Sequence, residues 1–322
     1  MSSTDFKQDS GRSASRPPTT GDIIADRVFR GGAYAAGALV VLLLIYILWE
    51  IGFRAMPAIE RYGFGFLTSA VWDPGQEKFG VLAEIWGTLY SSVLALVIAA
   101  FFGVGVAIFL TQDFLDARLA QVFRTVIEML AAIPSVVYGL WGIYVVIPAL
   151  RPVAGFLNET FGWFPMFSSS FSGPSMAPAV IVLAIMVLPT VAAISQDAFS
   201  LIPYKTKEAA FGMGTTRWEA ITKVMIPTAT SGIFASLVLG FGRALGETMA
   251  LAMLIGNSNQ ISWSLFSPAN TLASLLASQF PEASGIETQA LMYAAIVLLV
   301  ISLAVNVVGT LIMAMSSKQK VG

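Results

Sequence analysis

Neither cysteine nor histidine occurs in these 322 residues. Without cysteine there is no disulfide framework and no thiolate chemistry, and the redox compartment stays open. Without histidine the chain lacks the usual general base and the commonest metal ligand. Charge is scarce too, at 11% Asp, Glu, Lys and Arg against about 25% in soluble domains. A net charge of −1 with no basic block gives no electrostatic footprint for nucleic acid. No paired-carboxylate spacing suggests a catalytic dyad, and no catalytic residue, metal site or cofactor is predicted. What remains is apolar: 56% hydrophobic residues and a mean hydropathy of +0.77 place the chain among polytopic membrane proteins.

Residues 1–22 are rich in Ser, Thr, Pro and Asp and nearly devoid of aliphatics. Such a stretch cannot bury enough apolar surface to offset its ordering entropy. A disordered N-terminal tail over 1–30 is therefore expected, followed by a membrane domain over 31–322. Six apolar runs are long enough to span a bilayer, near 33–53, 81–110, 122–150, 176–200, 232–256 and 288–315. The fold class predicted is an all-α polytopic membrane protein with six transmembrane helices. Pro134 and Pro189 fall inside the third and fourth runs, where a kink is expected.

Lys and Arg fix an expected orientation. One set of connections holds Lys7, Arg12, Arg16, Arg27 and Arg30, then Arg118 and Arg124, then Lys205, Lys207, Arg217 and Lys223, then Lys318 and Lys320. The alternate set holds only Arg54, Arg61, Lys78 and Arg151. Both termini are thus expected in the cytoplasm. On the other side, aromatics crowd 156–171, and Asn270 is expected to cap a short helix lying on the outer surface through Leu272, Leu275, Leu276 and Phe280. No internal repeat stands out.

The stretch 205–227 is the longest cytoplasmic connection after the tail. Glu208, Ala209 and Ala210 favour helix, and Gly212 and Gly214 interrupt it. Thr216 and Glu219 have capping-box spacing for a second short helix, which Pro227 is expected to end. Two readings are open: a rigid protrusion that docks into a groove on a partner, or an ordinary interfacial hairpin.

The fifth run carries Arg243 and Glu247. Four residues apart on a helix, they would share a face and pair. A lone charge at mid-bilayer costs at least about 2.5–3.5 kcal/mol, so such residues face protein or water. The planar fork of arginine suits tetrahedral oxyanions. The alternatives are an ion pair that only fixes helix register and, for Gly242 and Gly246, a GxxxG packing face. Glu128, beside Arg124, is a weaker candidate.

These residues carry a resemblance. Glu208-Ala209-Ala210, Gly214, Val224, Ile226 and Pro227 match the EAA loop of bacterial ABC importer permeases, with Val224 and Ile226 as conservative departures. The segments 131–139 (AAIPSVVYG) and 242–250 (GRALGETMA) resemble signatures of phosphate importer permeases. Phe66-Leu67-Thr68-Ser69, Trp72-Asp73-Pro74 and Phe79-Gly80, leading to Gly87-Thr88-Leu89, resemble the PstC type of that family rather than the PstA type. The resemblance covers the chain from its first span to its end.

It implies a type I ABC importer permease fold in a bacterial inner membrane. It also implies a PstA-like second permease, a PstB-like ATPase dimer and a PstS-like periplasmic phosphate-binding protein as partners. Glu208, Ala209, Ala210, Gly214 and Pro227 would couple to the ATPase, since the chain has no GxxxxGK[ST] loop of its own. Arg243 and Glu247 would line the phosphate pathway. The competing readings are a permease for sulfate or molybdate, a secondary transporter or channel working without ATP, and, least favoured, a membrane-embedded enzyme.

Overall fold

The computed structural model describes residues 20–112 and 114–318. The chain divides into two compact units, residues 1–53 and 54–322. Helix α1 runs Thr20–Tyr62, so its first turns occupy part of the stretch expected as a disordered tail. Asp26 and Arg30, one turn apart, are paired at 3.1 Å there. Once the apolar span has nucleated a helix, adding polar turns costs little. Residues 1–19 of the expected tail lie outside the described residues.

In the second unit, α2 (Gly65–Thr68) is followed by a two-stranded antiparallel hairpin, β1 (Trp72–Asp73) on β2 (Lys78–Phe79). Next come α3 (Leu82–Thr111), α4 (Ala117–Ala132), α5 (Ser135–Trp141), a π turn over Gly142–Val146 and α6 (Ile147–Phe161). The central helix α7 (Met176–Ser200) leads to α8 (Tyr204–Gly212), α9 (Arg217–Ala220), a second π turn over Ile221–Met225 and α10 (Ile226–Leu245). The chain ends with α11 (Met249–Leu254), α12 (Leu272–Gln279) and α13 (Ile286–Lys318). Six helical stretches are long and apolar enough to span: Ile23–Tyr62, Leu82–Thr111, Ser135–Phe161, Met176–Ser200, Arg217–Leu245 and Ile286–Met313.

Two spans differ from expectation. The third begins at Ser135 rather than 122, because Ile133 is extended (φ −69°, ψ 127°) and ends α4. A residue before proline is pushed out of the helical region, so Pro134 makes a break where a kink was expected. The fifth stops at Leu245 rather than 256, with Gly246 as its C-cap.

The core is organised around α7. Val182, Leu183, Met186, Val187 and Val191 are buried together with Ala95 and Ala99 of α3 and with Ala244, Leu251 and Leu254. Close approach depends on small residues: a Cβ on Gly103 or on Gly240 would lie 3.0 Å from a methyl of Val191. Backbone-to-backbone proximity of this kind is how membrane helices gain packing energy without a hydrophobic drive. Gly242 contributes similarly, its missing Cβ lying 3.4 Å from Asn306 Oδ1 of α13.

At the end of the bundle away from α8 and α9, a second cluster joins Phe66, Phe79, Val81, Leu272, Leu275 and Leu291. Helix α12 is held inside it and does not lie on a surface as expected: Leu272, Ala273, Ser274 and Leu275 are buried. Its cap is Thr271, whose Oγ1 accepts from Ser274 N–H at 3.1 Å. Asn270, the expected cap, instead accepts from Thr271 N–H at 3.0 Å and from the Ser274 hydroxyl at 2.6 Å.

Candidate functional site

Two features positioned by this bundle carry the chemistry. The first is the corner where α10 gives way to α11. Arg243 sits in the last turn of α10, and its Nη1 donates to Thr190 Oγ1 of α7 at 3.4 Å. Glu247 lies beyond the helix end, and its Oε1 accepts from Ala250 N–H at 3.4 Å. The expected shared helix face therefore does not exist, and among the described residues Arg243 and Glu247 form no ion pair. The physical reason is Gly246: the chain leaves helical geometry there, and a four-residue spacing pairs side chains only on an unbroken helix. Glu247 instead satisfies an orphan N–H at the start of α11.

Around Arg243 the two sequence signatures converge. A Cβ on Gly139 of α5 would lie 3.4 Å from Ala250 Cα and 2.6 Å from Met253 Sδ, so only glycine lets α5 approach α11 this closely. Next to it, Tyr138 is buried and lies within electrostatic reach of Arg243. Its hydroxyl donates to Leu130 O at 2.9 Å, spanning the break at Pro134 and satisfying a carbonyl that α4 leaves unpaired. Arg243 itself is exposed in the isolated chain. With a single long bond to Thr190, it keeps most of its five donors available for a bidentate oxyanion.

Thr190 and Tyr138 were not singled out from sequence. Thr190 carried a signal, a hydroxyl directly after Pro189 in an otherwise apolar run. Glu128 is exposed on α4 and makes no ion pair with Arg124, whose Nε donates to Gln196 Oε1 at 3.2 Å.

The second feature is the hook formed by α8 and α9. Gly214 has φ +83°, and Thr215 N–H reaches Ala210 O at 3.4 Å while Gly214 N–H reaches Phe211 O at 2.9 Å. That pair of bonds is a Schellman ending with glycine in its left-handed position. The capping box expected from sequence is present: Thr216 Oγ1 accepts from Glu219 N–H at 3.3 Å, and Glu219 accepts from Thr216 N–H at 3.1 Å. Lys223 adds an ion pair to Glu219 at 3.2 Å.

Ala210 faces inward against Phe199, Ala220, Ile221 and Met225, whereas Glu208 and Ala209 are exposed. Met213 and Trp218, exposed at 86% and 67%, give the hook an apolar tip. Pro227 does not end the second helix as expected. It sits at the start of α10, after a π turn in which Ile226 N–H bonds to Ile221 O. The wider turn carries the preceding carbonyls clear of a ring that would clash in a regular α-helix. Among the described residues no group of three or more acidic side chains is placed to share a metal ion.

Comparison with known proteins follows this geometry. Residues 103–320 match the family described as binding-protein-dependent transport system inner membrane component. The chain is 39% identical over 302 residues to the phosphate transport system permease protein PstC of Pasteurella multocida, covering 92% of this chain and 94% of that one. It is 40% identical to the PstC of Haemophilus influenzae, covering 88% and 91%. Among solved structures, a chain of a bacterial alginate ABC transporter in complex with an alginate-bound periplasmic protein superposes with a TM-score of 0.61. It is 16% identical, covering 91% of this chain and 96% of that one. A chain of the inward-facing MetNI methionine ABC transporter gives 0.57 at 17% identity, covering 73% and 95%. At these identities the structural likeness concerns the fold, which is that of ABC importer permeases.

Proposed function

Since this chain belongs to the PstC family of phosphate transport permeases, within the binding-protein-dependent inner membrane components, we propose that it forms half of a phosphate pathway driven by ATP hydrolysis on another chain. The observation that carries this reading is the corner at Arg243. There an arginine without an ion pair, held only by Thr190, stands where the segments 131–139 and 242–250 meet. A planar fork with free donors binds a tetrahedral oxyanion through charge-assisted hydrogen bonds. One long bond to a hydroxyl is little to give up when the anion arrives, and weak holding permits release.

Glu247 takes a different part from the counter-ion first expected. By capping α11 it fixes the corner, and its negative charge near the guanidinium limits how long an anion dwells. The chain breaks no bonds itself. Both termini and the hook lie in the cytoplasm, where most Lys and Arg of the connections are found. The partners are a PstA-like permease, a PstB-like ATPase dimer whose groove receives the hook, and a PstS-like periplasmic protein that delivers phosphate. Alternating access follows when nucleotide closes the ATPase dimer and the hook moves with it.

The test is uptake of labelled phosphate and labelled sulfate in cells lacking the gene, with and without complementation. Loss of phosphate uptake with sulfate uptake intact is expected. The reverse result reassigns the pathway to another oxyanion, which the fork of Arg243 would also accept. Copurification without a stoichiometric ATPase would remove the ATP-driven reading altogether.

A further inference from the structure

Glu84 lies in the first turn of α3, and its relative exposure is 0%. Neither carboxyl oxygen has a hydrogen-bond partner. One turn further on, Thr88 Oγ1 donates to Glu84 O at 2.7 Å and accepts from Leu272 N–H at 2.9 Å. Gly87 lies against the carbonyl of Asn270, so α3 and α12 meet in a tight seam beside Glu84. On the same buried face, two turns along, the Ser92 hydroxyl is also without a partner.

No cation compensates this carboxyl. Helices α2 and α12, which cover the start of α3, contain no titratable side chain. The preceding hairpin brings Asp73, Glu77 and Lys78, of which Glu77 pairs with Arg61 and Lys78 bonds to Gln76. From α13 come Glu287 and Tyr293, the latter donating to Gly63 O. Arg243 of α10 is bound to Thr190, and nearby Gly240 packs on Leu96, about 18 Å along α3 from Glu84. Asp197 of α7 and Arg118, Arg124 and Glu128 of α4 belong to the far end of α3. A carboxylate removed from water without a partner is too costly to persist, and such a group keeps its proton instead.

We infer that Glu84 is a proton-binding site of the transport cycle, filled while the α3–α12 seam is shut and emptied to water when the seam opens. An opened seam returns the side chain to solvent, where a glutamate loses its proton well below neutrality. Closing must then take one proton from water on that face. The shut state binds the extra proton, so its advantage is complete in acid and declines as pH rises, by at most tenfold per unit. The cost of leaving both oxygens unsatisfied is understandable if protonation and closure are linked, and an apolar residue would fill the space without it.

The test has two arms, both on the assembled complex. Infrared spectra at neutral pH are recorded for the wild type, Glu84→Gln and Glu84→Leu in lipid nanodiscs. A protonated-carboxyl C=O band present in the wild type and absent from both variants is expected; a difference confined to carboxylate bands overturns the site. This arm uses no phosphate, so it stands or falls independently of the transport reading. The second arm rests on that reading and follows the ratio of wild-type to Glu84→Gln uptake as the outer pH is raised. The ratio is expected to fall by up to tenfold per unit, with the ionisation of phosphate cancelling between the two chains. Parallel profiles overturn the link between the proton and transport.

Discussion

Gly139 and Ala250 are in backbone contact: a Cβ on the first would lie 3.4 Å from the Cα of the second. Through this contact α5 and α11 share one wall, and the wall sets where Arg243 and Tyr138 can stand. Gly139→Ala meets chiefly the sulfur of Met253, at 2.6 Å, and a flexible thioether gives way. Gly139→Val has no such escape and is expected to cost about 1–3 kcal/mol as overpacking. Melting of the complex in detergent, alongside phosphate uptake, should show alanine near wild type and valine impaired in both.

Arg243→Gln is expected to abolish uptake while the subunit still inserts and assembles, which copurification would establish. Surviving uptake would make Arg243 structural. Thr190→Val removes the bond that aims the guanidinium, yet the bond is long, at 3.4 Å. Its loss is placed near the low end for hydrogen bonds to charged groups, about 1.5 kcal/mol. Uptake should fall roughly tenfold by that figure, and Thr190→Ser, which keeps the hydroxyl, should restore most of it.

At Gly214 the strain is in the backbone alone, since nothing lies within 4 Å of an added Cβ and φ is +83°. Gly214→Val forces a β-branched residue into the left-handed region at about 1–2 kcal/mol, whereas Gly214→Asn enters it more easily. The valine variant is expected to hydrolyse ATP without moving phosphate. Normal coupling there would exclude the hook as the transmitting element.

The reciprocal cap at α9 gives a separate handle on the same hook. Thr216→Ala deletes the acceptor for Glu219 N–H and should destabilise the hook by about 0.5–2 kcal/mol. Amide hydrogen exchange over 216–225 is expected to accelerate while exchange in α7 stays unchanged. Uniform acceleration across both would mean that the box supports the whole fold and not the hook alone.

What could be read from sequence follows the range of the interactions involved. The capping box at Thr216 and Glu219 and the glycine turn at Gly214 are set by neighbours within five residues, and both were legible. Spacing failed where continuity was assumed. Arg243 and Glu247 were paired on a helix that Gly246 ends, and Pro227 was taken for a stop although a π turn carries the chain through it.

The same device precedes Pro148, where Ile147 N–H reaches back to Gly142 O. In both places the sequence Ile-Pro follows the turn, a local pattern that proline rules alone do not reveal. Helix α12 misled for the opposite reason. Its apolar face read as a surface anchor, and only the distant partners Phe66 and Leu291 show that it is core.

The π turn at Ile221–Met225 keeps α9 and α10 in one rod from Arg217 to Leu245. One end of that rod bears the apolar tip residue Trp218, and Arg243 is near the other, so about 38 Å of unbroken helix separates them. A strut of this length has no joint in which motion could be lost. Pressure at Trp218 must either tilt the guanidinium away from α7 or leave the whole rod where it was.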